Sequence, residues 1–167
     1  MQINAQSIKE LREKTGAGVI DCKNALTEAC GDFGKACDLL ASRGIAIAEK
    51  KSQRAANSGL IEVYTHLGGR IGAMVELNCE TDFVAKTDEF KKLAHELVLQ
   101  IAAMDPKFLS QEDMPGNSED DPKVVCLMLQ PFIKDPSKAI KDIIVEAVAR
   151  IGENIKVSRF ARFELGC

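Results

Sequence analysis

The sequence has little that could form a metal site or a redox centre. It contains six cysteines and two histidines, but no two cysteines form a Cys-x-x-Cys pair and neither histidine lies beside a cysteine. Zinc sites and redox motifs need closely spaced ligands, so the sequence disfavours both. Cys22, Cys30 and Cys37 fall on or near apolar helical faces, where we expect their thiols to pack as small hydrophobes.

The sequence also lacks a basic excess, a long apolar run and a secretory signal. Its net charge of -3 disfavours a general nucleic-acid binder. No apolar run approaches the length that spans a bilayer. The N-terminus has neither the basic start nor the apolar stretch of a signal, so we expect a cytosolic protein without a disulfide framework. The last residue, Cys167, is expected to be a free thiol, with a bridge between two copies as the alternative.

No motif for nucleotide binding or catalysis is present. Gly16 and Gly18 lack the lysine, the further glycine and the preceding strand of a phosphate-binding loop. His66 and His95 are expected to be ordinary surface residues, and the acidic run 119–121 a solvated loop rather than a metal site. The sequence therefore predicts neither enzymatic activity nor a cofactor.

The first 44 residues have the spacing of three short helices. Turns are expected at residues 15–18, near Gly31 and at Gly44, which is predicted to lie just past the third helix. The charged segment 46–56 is predicted to be a linker helix; nucleic-acid contact is a weak alternative because no aromatic side chain accompanies its cations. The second helix has apolar residues at helical spacing, namely Val19, Cys22, Ala25, Leu26 and Ala29.

After Gly59 the apolar period changes from helical to two, which predicts strands. Residues 61–66 and 71–79 alternate around a glycine-rich hairpin turn at 67–70. A third strand is predicted where Ile155, Val157, Ala161 and Phe163 alternate with Lys156, Ser158, Phe160 and Arg162.

Helical spacing returns between the hairpin and the third strand. One helix is predicted from a cap at Thr87 or Asp88 to Asp105, and another from Asp135-Pro136 to Gly152. Between them, residues 107–122 are predicted to be a polar loop and 123–130 a helical turn or two. The fold class is therefore α+β: a three-helix bundle followed by a three-stranded antiparallel sheet with helices on one face.

The loop after the second predicted strand places an aromatic residue directly after a carboxylate. It reads Thr81-Asp82-Phe83-Val84 and lies between a strand and a helix. In one interpretation Phe83 packs inward and Asp82 caps a helical turn. In the other, Phe83 protrudes and enters a pocket of a partner protein. The residues alone favour the first and do not decide between them.

Three segments have distinctive wording: residues 11–26 (LREKTGAGVIDCKNAL), residues 76–85 (ELNCETDFVA) and residues 151–155 (IGENI). They closely resemble signatures of the elongation factor Ts family. All three occur in the order that the family has, and together they cover the chain from end to end.

The resemblance implies two domains and a partner. Residues 1–54 would form a three-helix domain similar to ubiquitin-associated domains, which docks on the GTPase domain of elongation factor Tu. Residues 55–167 would form the core and dimerisation domain. By position, Arg12, Val19, Ile20 and Lys23 would lie on or beside the docking surface. Many relatives have two methionines where this chain has Val19-Ile20, whose branched side chains are stiffer.

The same resemblance assigns a role to Thr81, Asp82, Phe83 and Val84. They would dislodge magnesium from the partner, so that the protein acts as a guanine-nucleotide exchange factor without bond chemistry. The chain has one of the two core halves of longer relatives, with a short 107–135 connection. Compact members of the family pair, which implies a homodimer that binds two copies of elongation factor Tu.

Two other hypotheses come from different classes. In the first, the protein is a passive adaptor whose helical bundle binds helices or peptides while the core dimerises. In the second, its six cysteines serve a thiol or metal enzyme.

Overall fold

The structure, a computed structural model, describes residues 3–166. Its α+β fold is the one that the sequence predicts, with helices first and then a three-stranded antiparallel sheet with helices. The helices are α1 (Ala5–Thr15), α2 (Val19–Glu28), α3 (Phe33–Lys51), α4 (Asp82–Ala85), α5 (Asp88–Met104), α6 (Pro122–Val125) and α7 (Ile140–Ile151). The strands are β1 (Ser58–His66), β2 (Ile71–Cys79), β3 (Pro131–Phe132), β4 (Asp135–Ala139) and β5 (Ile155–Glu164).

The chain divides into two compact units. The first comprises the chain up to Gln53 together with Val145–Glu153, and the second comprises Arg54–Ile144 together with the residues from Asn154 onward. Helix α7 therefore contributes its first residues to the second unit and its remaining turns to the first. Within the described part of the chain, no helix combines the length and apolar character needed to cross a membrane.

The first unit is built on helices with local caps and a small apolar core. Helix α1 begins with a reciprocal cap, in which Asn4 Oδ1 accepts the Ser7 N–H at 2.8 Å and the Ser7 hydroxyl accepts the Asn4 N–H at 3.2 Å. It ends at Gly16, whose φ of 70° suits glycine. The side chains that close the core between the helices are Leu11, Cys22, Ala25, Leu26, Ala29 and Ala36.

Helix α3 is longer than the sequence predicts. The expected end at Gly44 is wrong, because the helix continues without interruption to Lys51 and includes most of the predicted linker. Gly44 is buried, and a Cβ built on it would lie 3.5 Å from Ala149, within the same unit. The absence of a side chain thus serves helix packing here rather than helix termination, and tertiary contact overrides a weak propensity.

The second unit is organised around an antiparallel sheet in the order β1-β2-β5. The predicted hairpin turn is confirmed: Leu67, Gly68 and Gly69 all have positive φ and join β1 to β2. At the far end of β2, Cys79 faces Ser58 on one side and Ile155 on the other. The start of β1, the end of β2 and the start of β5 therefore lie side by side.

Helix α5 covers one face of this sheet. It packs against β1 and β2. Phe90, Leu97 and Ile101 of the helix are buried, as are Val75 and Leu77 of β2. Its start is fixed by Thr87, whose hydroxyl oxygen accepts the Phe90 N–H at 3.3 Å. Its end is met by Arg162, whose Nε donates to the carbonyl of Ala102 at 3.1 Å. A cation at this terminus is favourable because the last carbonyls carry partial negative charge.

The strict alternation predicted for β5 is wrong beyond Ser158. The register places Glu76 opposite Arg159 but Leu77 opposite Val157, so Ser158 is the extra residue of a β-bulge. The bulge exchanges the two faces of the strand from that point on. Phe160 and Arg162 turn to the covered face, whereas Ala161 and Phe163 turn to the outer face. One inserted residue shifts the period by one and cannot be seen in the sequence pattern.

The predicted helix start at Asp135-Pro136 is also wrong. These residues begin β4, which pairs with β3, and the helix starts five residues later at Ile140. Asp135 instead accepts the Ser137 hydroxyl at 2.6 Å and the Ser137 N–H at 3.2 Å, a local turn that competes with a helix.

The connection between α5 and β4 is held by a pair of buried amides. Gln100 and Gln130 are both fully buried, and the Gln100 amide donates to Gln130 Oε1 at 3.1 Å. Gln130 in turn donates to the carbonyls of Met104 at 3.3 Å and Val124 at 2.6 Å. Gln100 Oε1 accepts the N–H of Ile133 at 2.9 Å. The segment predicted as a polar loop and short helical turns is thus anchored to α5 by buried and part-buried hydrogen bonds.

Replacing Gln130 by alanine is expected to lower the free energy of unfolding by about 3 kcal/mol. The change leaves the buried Gln100 amide and the part-buried carbonyls of Met104 and Val124 without this partner, and each such group costs about 1–3 kcal/mol. Urea denaturation at one fixed protein concentration measures the difference. Gln111→Ala, at an exposed position of the same connection, is the matched control and should change stability by less than about 0.5 kcal/mol. Equal effects of the two substitutions would contradict the role assigned to the buried amides.

Candidate functional site

The loop after β2 forms a single helical turn with an exposed aromatic ring. Thr81 is extended (φ −125°, ψ 155°) and caps α4, and its hydroxyl oxygen lies 3.4 Å from the Val84 nitrogen that donates to it. The Phe83 side chain projects from this turn and is 79% exposed. The interpretation in which Phe83 packs inward and Asp82 supplies the cap therefore does not hold.

The residues around Phe83 hold the turn in place by burial and by hydrogen bonds. Ala85 is buried, Val84 is half-buried, and the Val84 carbonyl accepts the Thr87 hydroxyl at 2.8 Å. On the strand side, the buried Cys79 thiol donates to the Thr81 carbonyl at 3.1 Å. An apolar ring thus stands on a turn that is capped by Thr81 and anchored by hydrogen bonds at both ends.

The negative charge of Asp82 in this turn forms an ion pair with Lys86, one helical turn further along the chain. Asp82 Oδ2 and Lys86 Nζ are 2.6 Å apart, at the i and i+4 positions. The hydrogen bond and the positive charge of Lys86 lower the pKa of the Asp82 carboxyl below its usual value. The turn therefore presents a carboxylate beside the ring at neutral pH.

The residues that the family resemblance assigns to an N-terminal docking surface lie at the start of α2 and on α1. Arg12, Val19, Ile20 and Lys23 are all exposed, and Ile20 is 74% exposed. Val19 has the spacing of the apolar face of α2 but lies in its first turn outside the core. Within the first unit, the structure thus shows two exposed branched side chains and two exposed cations among these four residues.

The cysteines differ from one another in environment. Burial raises the pKa of Cys22 and of Cys126, which lowers the fraction of reactive thiolate at neutral pH. Cys30 is exposed in the turn after α2, so the expectation that it packs as a hydrophobe is wrong. Cys167 lies outside the described residues. Among residues 3–166, no group of three or more histidine, cysteine or acidic side chains has the geometry to hold a metal ion.

Both histidines instead gather around the one tyrosine. The Tyr64 hydroxyl and His66 Nδ1 are 2.9 Å apart, and His95 Nδ1 is 3.0 Å from Glu62 Oε1. The ring of His95 meets the Tyr64 ring edge-on, with centroids 6.3 Å apart. This arrangement joins α5 to β1, and the sequence pattern gave no signal of it.

The lowered pKa of Asp82 generates a test that is independent of any partner. A carboxyl whose folded pKa is depressed stabilises the fold above the ordinary aspartate pKa and loses that contribution as the pH falls through the depressed value. NMR titration of the Asp82 carboxyl carbon should therefore give a midpoint below that of an ordinary aspartate. In Lys86→Ala the midpoint should move up towards the ordinary value, and Lys9→Ala, at an exposed lysine of α1, is the control. An Asp82 midpoint that stays the same in Lys86→Ala would show that the ion pair does not form.

Comparison with known proteins places the chain in a family. The family model described as Elongation factor TS matches residues 6–121. The elongation factor Ts of Caldanaerobacter subterraneus subsp. tengcongensis is 48% identical, over 98% of this chain and 97% of the relative. The elongation factor Ts of Thermoanaerobacter pseudethanolicus is 47% identical over 98% and 95%, and that of Herpetosiphon aurantiacus is 45% identical over 99% of each. The chain therefore belongs to the elongation factor Ts family of translation elongation factors.

Proposed function

We propose that the protein is a guanine-nucleotide exchange factor that binds elongation factor Tu in its GDP form, disturbs the magnesium site and releases GDP. The observation that carries the proposal is the exposed ring of Phe83 on the capped turn after β2. An exposed phenylalanine in water is unfavourable, and burying it in a partner recovers that free energy. The ring is therefore suited to act as a wedge.

The wedge acts through the geometry of magnesium coordination. Such GTPases hold GDP by phosphate contacts to a backbone loop and by a magnesium ion that bridges phosphate and protein. Octahedral magnesium tolerates little distortion of its ligands. A benzyl group forced beside the ion displaces those ligands and weakens the binding of the nucleotide. Since coupling is reciprocal, the exchange factor and GDP weaken each other's binding by the same factor, about tenfold for each 1.4 kcal/mol.

The four residues of the turn have separate proposed roles. Thr81 fixes the start of α4 through its cap, and Phe83 enters the partner. Asp82, ionised beside Lys86, adds a negative charge next to the ring, where it competes with the groups that surround the metal ion. Val84 supports the ring from the half-buried side of the turn. Because no covalent step is involved, the protein is proposed not to be an enzyme and to need no cofactor. It is also proposed to work in the cytoplasm and to bind neither nucleic acid nor membrane.

The N-terminal unit is proposed to supply a second contact with elongation factor Tu. Val19 and Ile20 form an exposed apolar pair at the start of α2, and Arg12 and Lys23 are exposed cations of the same unit. Apolar side chains bordered by charges are typical of the centre and rim of an interface. Residues 1–54 would thus set the affinity, while the second domain, residues 55–167, carries out the displacement.

The outer face of the sheet is proposed to bind a second copy of the chain. Val63, Met74 and Ala161 lie opposite one another across the three strands, and Phe163 beside them is 73% exposed. An apolar face of a sheet can pack against the same face of a second copy that is related to it by a two-fold axis. A two-fold axis is the usual symmetry of a dimer. The Glu76–Arg159 ion pair on the same face, 2.7 Å long, supplies a polar border. Two chains would then bind two copies of elongation factor Tu.

Exchange activity is tested by stopped-flow release of a fluorescent GDP analogue from elongation factor Tu. The wild-type chain should accelerate release, and Phe83→Ala should lower the maximal rate about 30-fold, as expected for a hot spot worth about 2 kcal/mol. Its free energy of unfolding should change by less than about 0.5 kcal/mol because the ring is exposed. Leu67→Ala removes an exposed apolar side chain at the opposite end of β2 and should keep the wild-type rate. An unchanged release rate with the wild-type chain would indicate a passive adaptor.

Dimerisation is tested by gel filtration at micromolar concentration. The wild-type chain should elute as a dimer, and Val63→Asp should elute as the 18.2 kDa monomer, because it places an unpaired carboxylate on the apolar face. Val124→Asp changes an exposed valine of α6 in the same way and should remain dimeric. A wild-type monomer, or a Val63→Asp dimer, would overturn this part of the proposal.

A further inference from the structure

We infer that Glu80, held by Asn154 and Arg54, is a positioning residue that sets the direction in which Phe83 leaves the sheet. This inference rests on the exchange function proposed above and adds to it the part of the fold that aims the wedge. Glu80 does not touch the partner in this account. It acts through the turn that follows it.

The three residues form a closed set of contacts. Glu80 Oε1 accepts the backbone N–H of Asn154 at 2.7 Å and lies 3.6 Å from Arg54 Nη1. The Asn154 side-chain amide donates to the backbone carbonyl of Arg54 at 2.8 Å. Each residue is therefore tied to both of the others, and a shift of one strains two contacts.

The set lies where the ends of the three strands meet. Arg54 precedes β1, Glu80 follows β2 directly, and Asn154 precedes β5 directly. The register that places Cys79 between Ser58 and Ile155 brings these three segments to one end of the sheet. The Glu80 carboxylate thus joins all three strand ends just before the chain turns into α4.

Burial makes these contacts effective. Asn154 is 7% exposed, and the Glu80 side chain is 22% exposed. A mostly buried carboxylate is costly without partners, and charge-assisted hydrogen bonds offset that cost only in a defined geometry. Glu80 is therefore held in one orientation rather than sampling many in water.

Helix α4 is too short to orient itself. It has four residues, which is less than the length at which internal hydrogen bonds stabilise a helix alone. Its direction is therefore inherited from its anchors: Glu80 on one side, the Cys79 thiol at the Thr81 carbonyl, and Thr87 at its far end. Only Thr81 and Asp82 separate Glu80 from Phe83, so a change in the backbone at Glu80 is transmitted to the ring over two residues.

The inference is tested first without a partner, by hydrogen exchange of the intact protein. Glu80→Ala removes the acceptor for Asn154 and should accelerate exchange of the amides of residues 82–87 about tenfold, while the amides of α5 keep their protection. Glu80→Gln keeps an acceptor oxygen and should remain close to wild type. Glu62→Ala removes a carboxylate of similar exposure (30%) on β1 and should leave residues 82–87 unchanged. Unchanged exchange in Glu80→Ala would overturn the inference, whatever the protein does to elongation factor Tu.

The second test is a double-mutant cycle in the GDP-release assay. Glu80→Ala should lower the maximal release rate about tenfold, because a misplacement of about 1 Å can cost up to about 100-fold. The concentration of protein that gives half the maximal rate should change less than about twofold, and Glu80→Gln should recover most of the rate. In the Phe83→Ala background, Glu80→Ala should lower the rate by less than about twofold. Equal losses in both backgrounds would mean that Glu80 acts independently of Phe83 and would overturn its positioning role. Absence of acceleration by the wild-type chain, with the hydrogen-exchange result intact, would refute the exchange function and leave the positioning of the turn in place.

Discussion

The antiparallel register at Cys79 is the constraint on which the proposed site depends. By pairing this residue with both neighbouring strands, it brings the start of β1 and the start of β5 to the end of β2. The chain leaves the sheet at this junction and forms a four-residue helix that cannot stabilise itself. An exposed Phe83 can be held in a fixed direction only because the surrounding strand ends are fixed.

A single bulge in β5 determines which of its residues lie on the covered face of the sheet and which lie on the outer face. Below the bulge at Ser158, the apolar residues of β5 face α5 and complete the core. Beyond it, Phe160 and Arg162 take over the covered face, and Arg162 meets the carbonyl end of α5. Ala161 and Phe163 are released to the outer face, where they extend the apolar surface proposed for a second copy of the chain.

The sequence predicted those elements whose periodicity is long and uninterrupted. The α+β class, the hairpin with its glycine turn and the helix from residue 88 onward all follow from apolar spacing and turn chemistry. The failures have different physical origins. Gly44 lies inside a helix that packs against Ala149, a tertiary contact that the local pattern does not contain. Asp135 forms a local turn with Ser137, and its segment pairs with the nearby strand β3.

The site was predicted in part. The residues alone left Phe83 open between the core and the surface, and the family resemblance supplied its role as an expectation. Exposure of the ring could not be read from composition because a phenylalanine after a strand is as compatible with a core as with a wedge. The contacts of Glu80 with Arg54 and Asn154 span separations of 26 and 74 residues in the sequence. No local pattern encodes contacts of that range.

The most direct measurement of the central claim is photo-crosslinking from position 83 in the complex with elongation factor Tu. A photoreactive phenylalanine analogue replaces Phe83, and mass spectrometry locates the residues it captures. If Phe83 acts as the wedge, the analogue should capture elongation factor Tu residues beside the magnesium and phosphate site, and the same analogue at position 67 should not. Capture confined to this chain itself, or to elongation factor Tu surfaces remote from the nucleotide, would contradict it.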